Sequence, residues 1–267
     1  MVRNIKTLYR RVTLLVNRGT FHLFFKRLPA NGDYCNSKRI SVLISTATNI
    51  NPRHYLAFIR CGAKHQLIDD GGQRNFDIAL NLYAPYTDKE RKGYEYLIVG
   101  GLNKYKAAYQ FIDDNLLLTY KGFIFLDDDL EITYSDLNSF LSYCTDNDLQ
   151  LAQPSLTRDS YCSHGHLINM SPAGCRSVDM VEVMCPYFSA EALRSAMCTF
   201  DLSYSTWGLD YIWPKLLKVT PVVVDEFTVR HTRPRSSSGK FYKYMKAIGV
   251  SPDEELKKLK NISLEKL

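Results

Sequence analysis

The sequence predicts an α/β domain with a mostly parallel sheet, and three observations predict it. From Arg39 onward, short β-branched or aromatic runs alternate with helix-patterned segments, the order that gives parallel strands joined by crossover helices. One run, Phe123-Ile124-Phe125-Leu126, is apolar throughout and stops at Asp127-Asp128-Asp129, as a buried strand with a polar terminus does. The 267 residues, 45% hydrophobic and 23% charged, suffice for one such domain with a full core.

The N-terminal segment, residues 1–38, reads differently from the rest. Val2, Ile5, Leu8, Tyr9, Val12, Leu15 and Val16 share one helical face, and Arg3, Lys6, Arg10, Arg11 and Arg18 the other. This basic amphipathic helix is too interrupted to span a bilayer, and no small-residue cleavage site follows it. Through residues 1–28 it would lie on an anionic membrane surface, or else dock on the domain with its charges in water. Of the 34 Lys/Arg and 28 Asp/Glu in the chain, residues 1–40 hold nine and one, so the net charge of +6 comes from the N-terminus and the remainder is slightly acidic.

The main domain, residues 39–232, opens with a strand from Ile40 to Ser45, a polar loop to Pro52 and a helix through Tyr55, Leu56, Phe58 and Ile59. Asp69-Asp70-Gly71-Gly72 is a turn. Phe76 to Tyr83 and Tyr94 to Val99 are strands, and Lys104 to Leu118 is a helix leading into the acidic strand. Ser135 caps a helix running to Cys144. Leu149 to Gln153 is a strand stopped by Pro154, and Thr157 to Ser177 is a long polar loop, either functional or disordered. Val178 to Pro186 is a strand, Ser189 caps a helix through Met197, and Trp207-Gly208-Leu209-Asp210 opens a helix ending near Lys218. Val222 to Val229 is the last strand, with His231 just after it. Residues 233–267 form a basic loop and a helical C-terminal tail; Arg230 to Lys246 contains six Lys/Arg and no acid.

Seven cysteines, Cys35, Cys61, Cys144, Cys162, Cys175, Cys185 and Cys198, are scattered without CxxC spacing. They suit free thiols in a reducing compartment rather than a disulfide framework. Cys162, His164, His166 and Cys175 are potential zinc ligands, but their spacing matches no common zinc module.

The acid cluster carries the chemistry. Adjacent carboxylates raise one another's pKa unless water, donors or a cation meet them. In an extended strand alternate side chains share a face, which places Asp127 and Asp129 together at the strand's C-terminal end, the edge where open α/β sheets bind ligands. Hard oxygen ligands suit Mg²⁺ or Mn²⁺, which complete their shells with water and substrate phosphates. Three acids after a strand also describe a plain solvated turn.

Taken together, the residues from Tyr94 to His231 carry a resemblance. Lys104 to Phe111, Ile124 to Asp129, Ala152-Gln153-Pro154, Val181-Glu182-Val183-Met184 with Pro186 and Phe188, Trp207-Gly208-Leu209-Asp210, and Val222-Val223-Asp225 with His231 resemble an uncharacterised plant and bacterial family, the domain of unknown function numbered seven-zero-seven. More broadly the chain looks like the GT-A fold of nucleotide-sugar glycosyltransferases. The acid cluster departs from the family pattern, where the middle residue is more often glutamate.

The resemblance implies a GT-A-like, mostly parallel sheet flanked by helices and a glycosyltransferase dependent on Mn²⁺ or Mg²⁺. Its donor would be a nucleotide sugar, and its acceptor a glycan or lipid-linked hydroxyl in bacterial surface polysaccharide synthesis. It implies metal ligands at Asp127, Asp129 and His231, with Asp128 facing the donor ribose or the outer layer of the site. Asp210 would take the proton from the acceptor, Glu182 would be an acceptor-side carboxylate, and Trp207 would offer a flat face to a sugar ring. Thr46, Thr48 and Asn49 would meet base and ribose, while Lys104 and Arg233 would meet phosphate, the latter from a basic lid that includes Arg235 and Lys240. Physical alternatives accompany several of these roles: Asp210 as a first-turn acid on its helix dipole, Glu182 as an outward strand residue, and His231 as a surface side chain.

Two other functions fit the same residues. A haloacid-dehalogenase-type phosphatase would use Asp127 as nucleophile and Asp129 as its acid partner, although several strands precede the motif. A non-catalytic nucleotide- or carbohydrate-binding protein would keep the fold without turnover. The acidic ligand edge argues against nucleic acid as a partner. The expected location is cytoplasmic, at the inner membrane face if the N-terminal helix binds lipid.

Overall fold

The computed structural model describes residues 40–44, 51–62, 64–84, 93–171, 174–234 and 239–266. The N-terminal helix and the donor-loop residues Thr46, Thr48 and Asn49 lie outside them, as does Arg235. The strands are β1 (Ile40–Ile44), β2 (Tyr55–Cys61), β3 (Leu67–Ile68), β4 (Phe76–Leu82), β5 (Tyr96–Gly100), β6 (Gly122–Asp127), β7 (Leu130–Thr133), β8 (Leu151–Leu156), β9 (Cys175–Ser177), β10 (Tyr187–Ser189) and β11 (Val222–His231). The helices are α1 (Lys104–Phe111), α2 (Asp114–Thr119), α3 (Tyr134–Asp146), α4 (Ala190–Ala196), α5 (Leu209–Leu217), α6 (Lys240–Ala247) and α7 (Pro252–Lys260).

The strands pair in the order β1-β5-β4-β2-β6-β10-β8-β11-β7-β3, with β9 also on β11. The block β5-β4-β2-β6 is parallel, while β10 runs antiparallel between β6 and β8. From β2 the chain moves outward through β4 and β5, then returns to place β6 on the other side of β2. This reversal is a topological switch point, where the loops leaving β2 and β6 diverge and open a crevice at their C-terminal ends. The mixed, mostly parallel sheet agrees with the fold class read from the sequence.

Aromatic packing beneath that crevice fixes the elements around it. Tyr105 of α1, Phe125 of β6, Phe188 of β10, Phe200 and Trp213 of α5 are fully buried, with ring centroids 4.8 Å apart for Tyr105–Phe200 and 5.0 Å for Phe188–Trp213. Such pairs add roughly 0.5–1.5 kcal/mol each beyond their burial. The Trp213 indole N–H, which cannot be left unpaired there, donates to Thr199 Oγ1 at 3.1 Å.

Several elements differ from the sequence reading. Tyr55–Cys61 is a strand and not a helix, because all seven residues are buried and a run without a polar face has no period to identify it. The long helix from Lys104 is two, broken where Asp113 caps α2 by accepting from Asn115 and Leu116 N–H. Thr133, not Ser135, caps α3, and the short strand β7 precedes it. Strand β8 continues through Pro154, which lies past the last residue paired with β10. Residues 178–186 are an irregular connection rather than a strand, although Met180, Val181, Met184 and Cys185 are buried in it. Their burial, not a ladder, explains the apolar run.

Strand β11 carries an irregularity of consequence. Val224 faces Pro154 and Thr228 faces Ser155, so Asp225, Glu226 and Phe227 have no partner on β8. The buried Asp225 carboxylate accepts from Arg176 Nε at 2.8 Å, and the Arg176 Nη2 donates to Ile168 O at 2.9 Å. The polar loop expected between Thr157 and Ser177 is thereby tied to the bulge. Among the described residues no helix is long and apolar enough to cross a membrane.

Candidate functional site

The site grows from the end of β6. That strand stops at Asp127, and Asp128-Asp129 form a turn before β7, so strand alternation does not carry through Asp129 and the two outer acids have different surroundings. Asp127 Oδ1 accepts from Lys104 Nζ at 2.8 Å. The Lys104 side chain is 5% exposed against 41% for Asp127, and its ammonium also donates to Met184 O at 3.0 Å. Lys104 thus has its ammonium held between Asp127 and the Met184 carbonyl. Its place at the start of α1 follows from Asn103, whose side chain accepts from Lys106 N–H at 2.8 Å.

Asp128 points inward. It is buried and accepts from the Gly62 N–H at 2.7 Å, the Tyr83 hydroxyl at 2.9 Å and the Arg233 guanidinium. The three bonds join the ends of β2, β4 and β11 to the acid turn. A Cβ on Gly62 would lie 2.9 Å from the Tyr83 hydroxyl and 3.3 Å from Asp128 Oδ2, so any larger residue there would push on the Tyr83–Asp128 contact. Burial, and then the Asp128 charge, raises the Tyr83 pKa and keeps the phenol a donor. Gly62 and Tyr83 escaped the sequence reading; the available signal was a glycine directly after an apolar run.

Asp129 meets His231 across 102 residues of sequence. His231 Nε2 lies 3.4 Å from Asp129 Oδ2, and Nδ1 lies 2.6 Å from the Tyr161 carbonyl. A carbonyl can only accept, so Nδ1 carries the proton, and Nε2 faces the carboxylate. Burial alone would lower the His231 pKa, but the Asp129 contact raises it. Burial pushes Asp129 up, and His231 with Arg233 outweigh it and hold that carboxyl below its usual range. Arg233 Nε donates to Asp129 Oδ2 at 3.1 Å. His231 is the last residue of β11, not a residue beyond it.

The opposite wall comes from α5 and the connection before β10. Gly208 adopts φ +92° ahead of the helix, and Asp210 sits buried in the first turn, accepting from its neighbour Tyr211 N–H at 3.1 Å. Burial, then the nearby Glu182 charge, pushes the Asp210 pKa up to about 7, against the weaker pull of Lys260. Glu182 is held by its own N–H, which donates to Gln153 Oε1 at 2.7 Å. Burial, and then the charges of Asp127 and Asp210, raise the pKa of the fully buried Tyr105, whose hydroxyl donates to Val183 O at 2.6 Å. Trp207 is half-buried, its ring 6.5 Å from that of Tyr242 on α6.

The donor set partly fits a divalent cation. An imidazole whose Nδ1–H is fixed by a backbone carbonyl presents Nε2 as a metal-binding histidine does; here Nε2 meets Asp129 Oδ2, which also accepts from Arg233 Nε. Asp127, however, is turned to Lys104, and among the described residues no group of three or more His, Cys, Asp or Glu is gathered for an ion. The fit is thus to Asp129 and His231, not to the three ligands expected. The Cys162, His164, His166 and Cys175 set is likewise not gathered.

These features define an open α/β protein with an acid-lined crevice at the C-terminal edge of its sheet. No protein-family model matches the chain, and a search of curated proteins finds no similar sequence. Among solved structures, the chain is similar to S. aureus TarS over 75% of its own length and 41% of that chain, at 8% identity and a TM-score of 0.42. It is also similar to S. aureus TarS 1–349 in complex with UDP-GlcNAc, over 78% of its length and 72% of that chain, at 11% identity and a TM-score of 0.43. The chain spans less than half the length of the first of these.

Proposed function

We propose that the protein is a divalent-cation-dependent glycosyltransferase that moves a sugar from a nucleoside diphosphate to a hydroxyl of a glycan or lipid-linked acceptor. The observation that carries the reading is the Asp129–His231 pair at the switch-point edge, an oxygen and a nitrogen donor turned toward one another. A cation held there would neutralise charge growing on a departing diphosphate.

The chain's own residues supply the remaining roles. Lys104 fixes Asp127, and Asp128 ties the ends of β2 and β4 to the turn so that the crevice floor is rigid. Asp210 is the base: as the acceptor oxygen bonds to the anomeric carbon and the bond to the diphosphate oxygen breaks, the hydroxyl proton passes to Asp210. A carboxyl with a pKa of about 7 is matched to proton transfer near neutral pH. One in-line displacement inverts the anomeric centre.

Calorimetric titration of nucleotides and nucleotide sugars, with Mn²⁺ or with chelator, into wild type and Asp129→Ala tests the reading. Cation-dependent binding of one nucleoside diphosphate, weakened at least tenfold in the variant, is expected. Absence of nucleotide binding under both conditions sinks it, and trapping of a phosphate analogue on Asp127 would replace it with a phosphatase.

A further inference from the structure

Helix α7 reaches across to the segment that delivers Asp210. Glu255 Oε1 accepts from Tyr204 N–H at 2.9 Å, and Oε2 accepts from Ser203 Oγ at 2.9 Å, Ser205 N–H at 2.8 Å and Ser205 Oγ at 2.6 Å. One carboxylate thus collects four donors from three consecutive residues. The segment needs holding. Thr206 has φ +71°, strained for a β-branched residue, and Gly208 follows at φ +92°.

Two further contacts come from the same helix. A Cβ on Gly208 would fall 2.9 Å from Leu259 Cβ and 3.3 Å from Leu256 Cα, so α7 lies directly against the turn. Lys260 Nζ lies 3.9 Å from the Tyr211 ring centroid, and its charge acts on Asp210. On the other side, Asn103 Nδ2 donates to Ser203 O at 3.0 Å and Tyr204 O at 2.9 Å. The turn is held between α1 and α7.

We propose that Glu255 is a positioning residue: through residues 203–208 it sets where the Asp210 carboxylate stands relative to the acceptor, so that the C-terminal helix completes the catalytic wall. The proposal rests on the glycosyltransferase reading. It uses no contact between Glu255 and substrate. The charged groups that face Asp210 are Glu182 and Lys260, and neither is altered by the test.

The test compares Glu255→Gln and Ser205→Ala with wild type. Glutamine offers one acceptor oxygen and turns an amide N–H toward donors; Ser205→Ala keeps the Glu255 charge and removes the 2.6 Å bond to it, along with longer contacts to Trp207 N–H at 3.3 Å and Ser203 Oγ at 3.4 Å. Three quantities are read: nucleotide-sugar affinity with Mn²⁺, kcat and KM for transfer, and the Asp210 titration followed by carboxyl carbon-13 NMR. For Glu255→Gln, affinity and donor KM within about threefold of wild type, kcat lower by about tenfold or more, and a displaced Asp210 titration are expected. Ser205→Ala moves the same quantities less. Wild-type kcat together with a wild-type Asp210 titration in both variants overturns the proposal and leaves Glu255 as a fastener of α7. If Glu255→Gln does not fold, Ser205→Ala decides by the same measures. If wild type binds no nucleotide sugar, the glycosyltransferase reading falls separately, and the Asp210 titration still decides whether Glu255 positions it.

Discussion

Two buried acids meet opposite surroundings: Asp77, at the N-terminal end of the parallel strands, is met by charge of the other sign, and Asp210, on the wall beside their C-terminal end, by a like charge in Glu182. Asp77, near the start of β4 and 2% exposed, accepts from Arg53 Nη1 at 2.6 Å and from the Tyr120 hydroxyl at 2.8 Å. Its neighbour Glu95 takes Arg53 at 2.8 Å and Arg74 at 2.9 Å. Across the sheet Asp210 has a backbone N–H, a distant Lys260 and a like charge in Glu182, and its pKa rises to about 7. The same sheet buries carboxylates both ways. A buried carboxylate beside a like charge opposes folding, and such a group is a candidate for chemistry rather than for stability.

Breaking the unmet end should affect turnover most. Asp210→Asn is expected to lower kcat by roughly 10²–10⁴-fold while leaving cation-dependent nucleotide affinity near wild type, as steady-state kinetics and calorimetry would show. The pH dependence sharpens the contrast. Because the Asp210 pKa is raised, the native state keeps its proton in a window where the unfolded chain has lost it, from the ordinary value near ~4 to about 7. Wild-type stability therefore falls as pH rises through that window and levels above it. Urea unfolding across this range should show the slope reduced in Asp210→Asn; identical slopes would contradict the assignment.

Breaking the met end should affect stability instead. Asp77→Ala leaves Arg53 and Tyr120 without their shared acceptor and is expected to destabilise by about 3 kcal/mol, read as a lower urea midpoint. Asp129→Ala is intermediate: nucleotide affinity in Mn²⁺ should drop about tenfold to a hundredfold, with stability lowered by about 1.5 kcal/mol as His231 and Arg233 lose their shared acceptor. The smallest effect belongs to a pair at neither end. Arg194 and Asp114 meet at 2.8 Å on the surface, and Arg194→Ala should shift stability by no more than about 0.5 kcal/mol.

Legibility in the sequence followed the same division. The strand ending in Asp127 was readable because four apolar residues meet three acids without transition, and the start of α5 because Gly208 and Asp210 are conventional helix-opening residues. Strand β2 was not, since burial on both faces erases the period that separates strand from helix. The gathering of Asp127 with Asp129 was misjudged for a local reason: the strand ends at Asp127, so alternation does not govern the turn. Gly62, Tyr83 and Glu255 act through contacts 45 to 66 residues distant in sequence, and no local pattern records such partners.

The bulge in β11 bears on which changes in chain length this protein tolerates. Three residues, Asp225 to Phe227, separate the two registers with β8, and His231 is reached only after them. Loops elsewhere could gain or lose a residue at little cost to stability. Deleting one residue here would instead turn the following side chains to the opposite face of the sheet, carrying His231 away from Asp129 while the ladder re-forms behind it. Among variants that differ only in length, those that lose Glu226 or Phe227 alone should fold and be inactive.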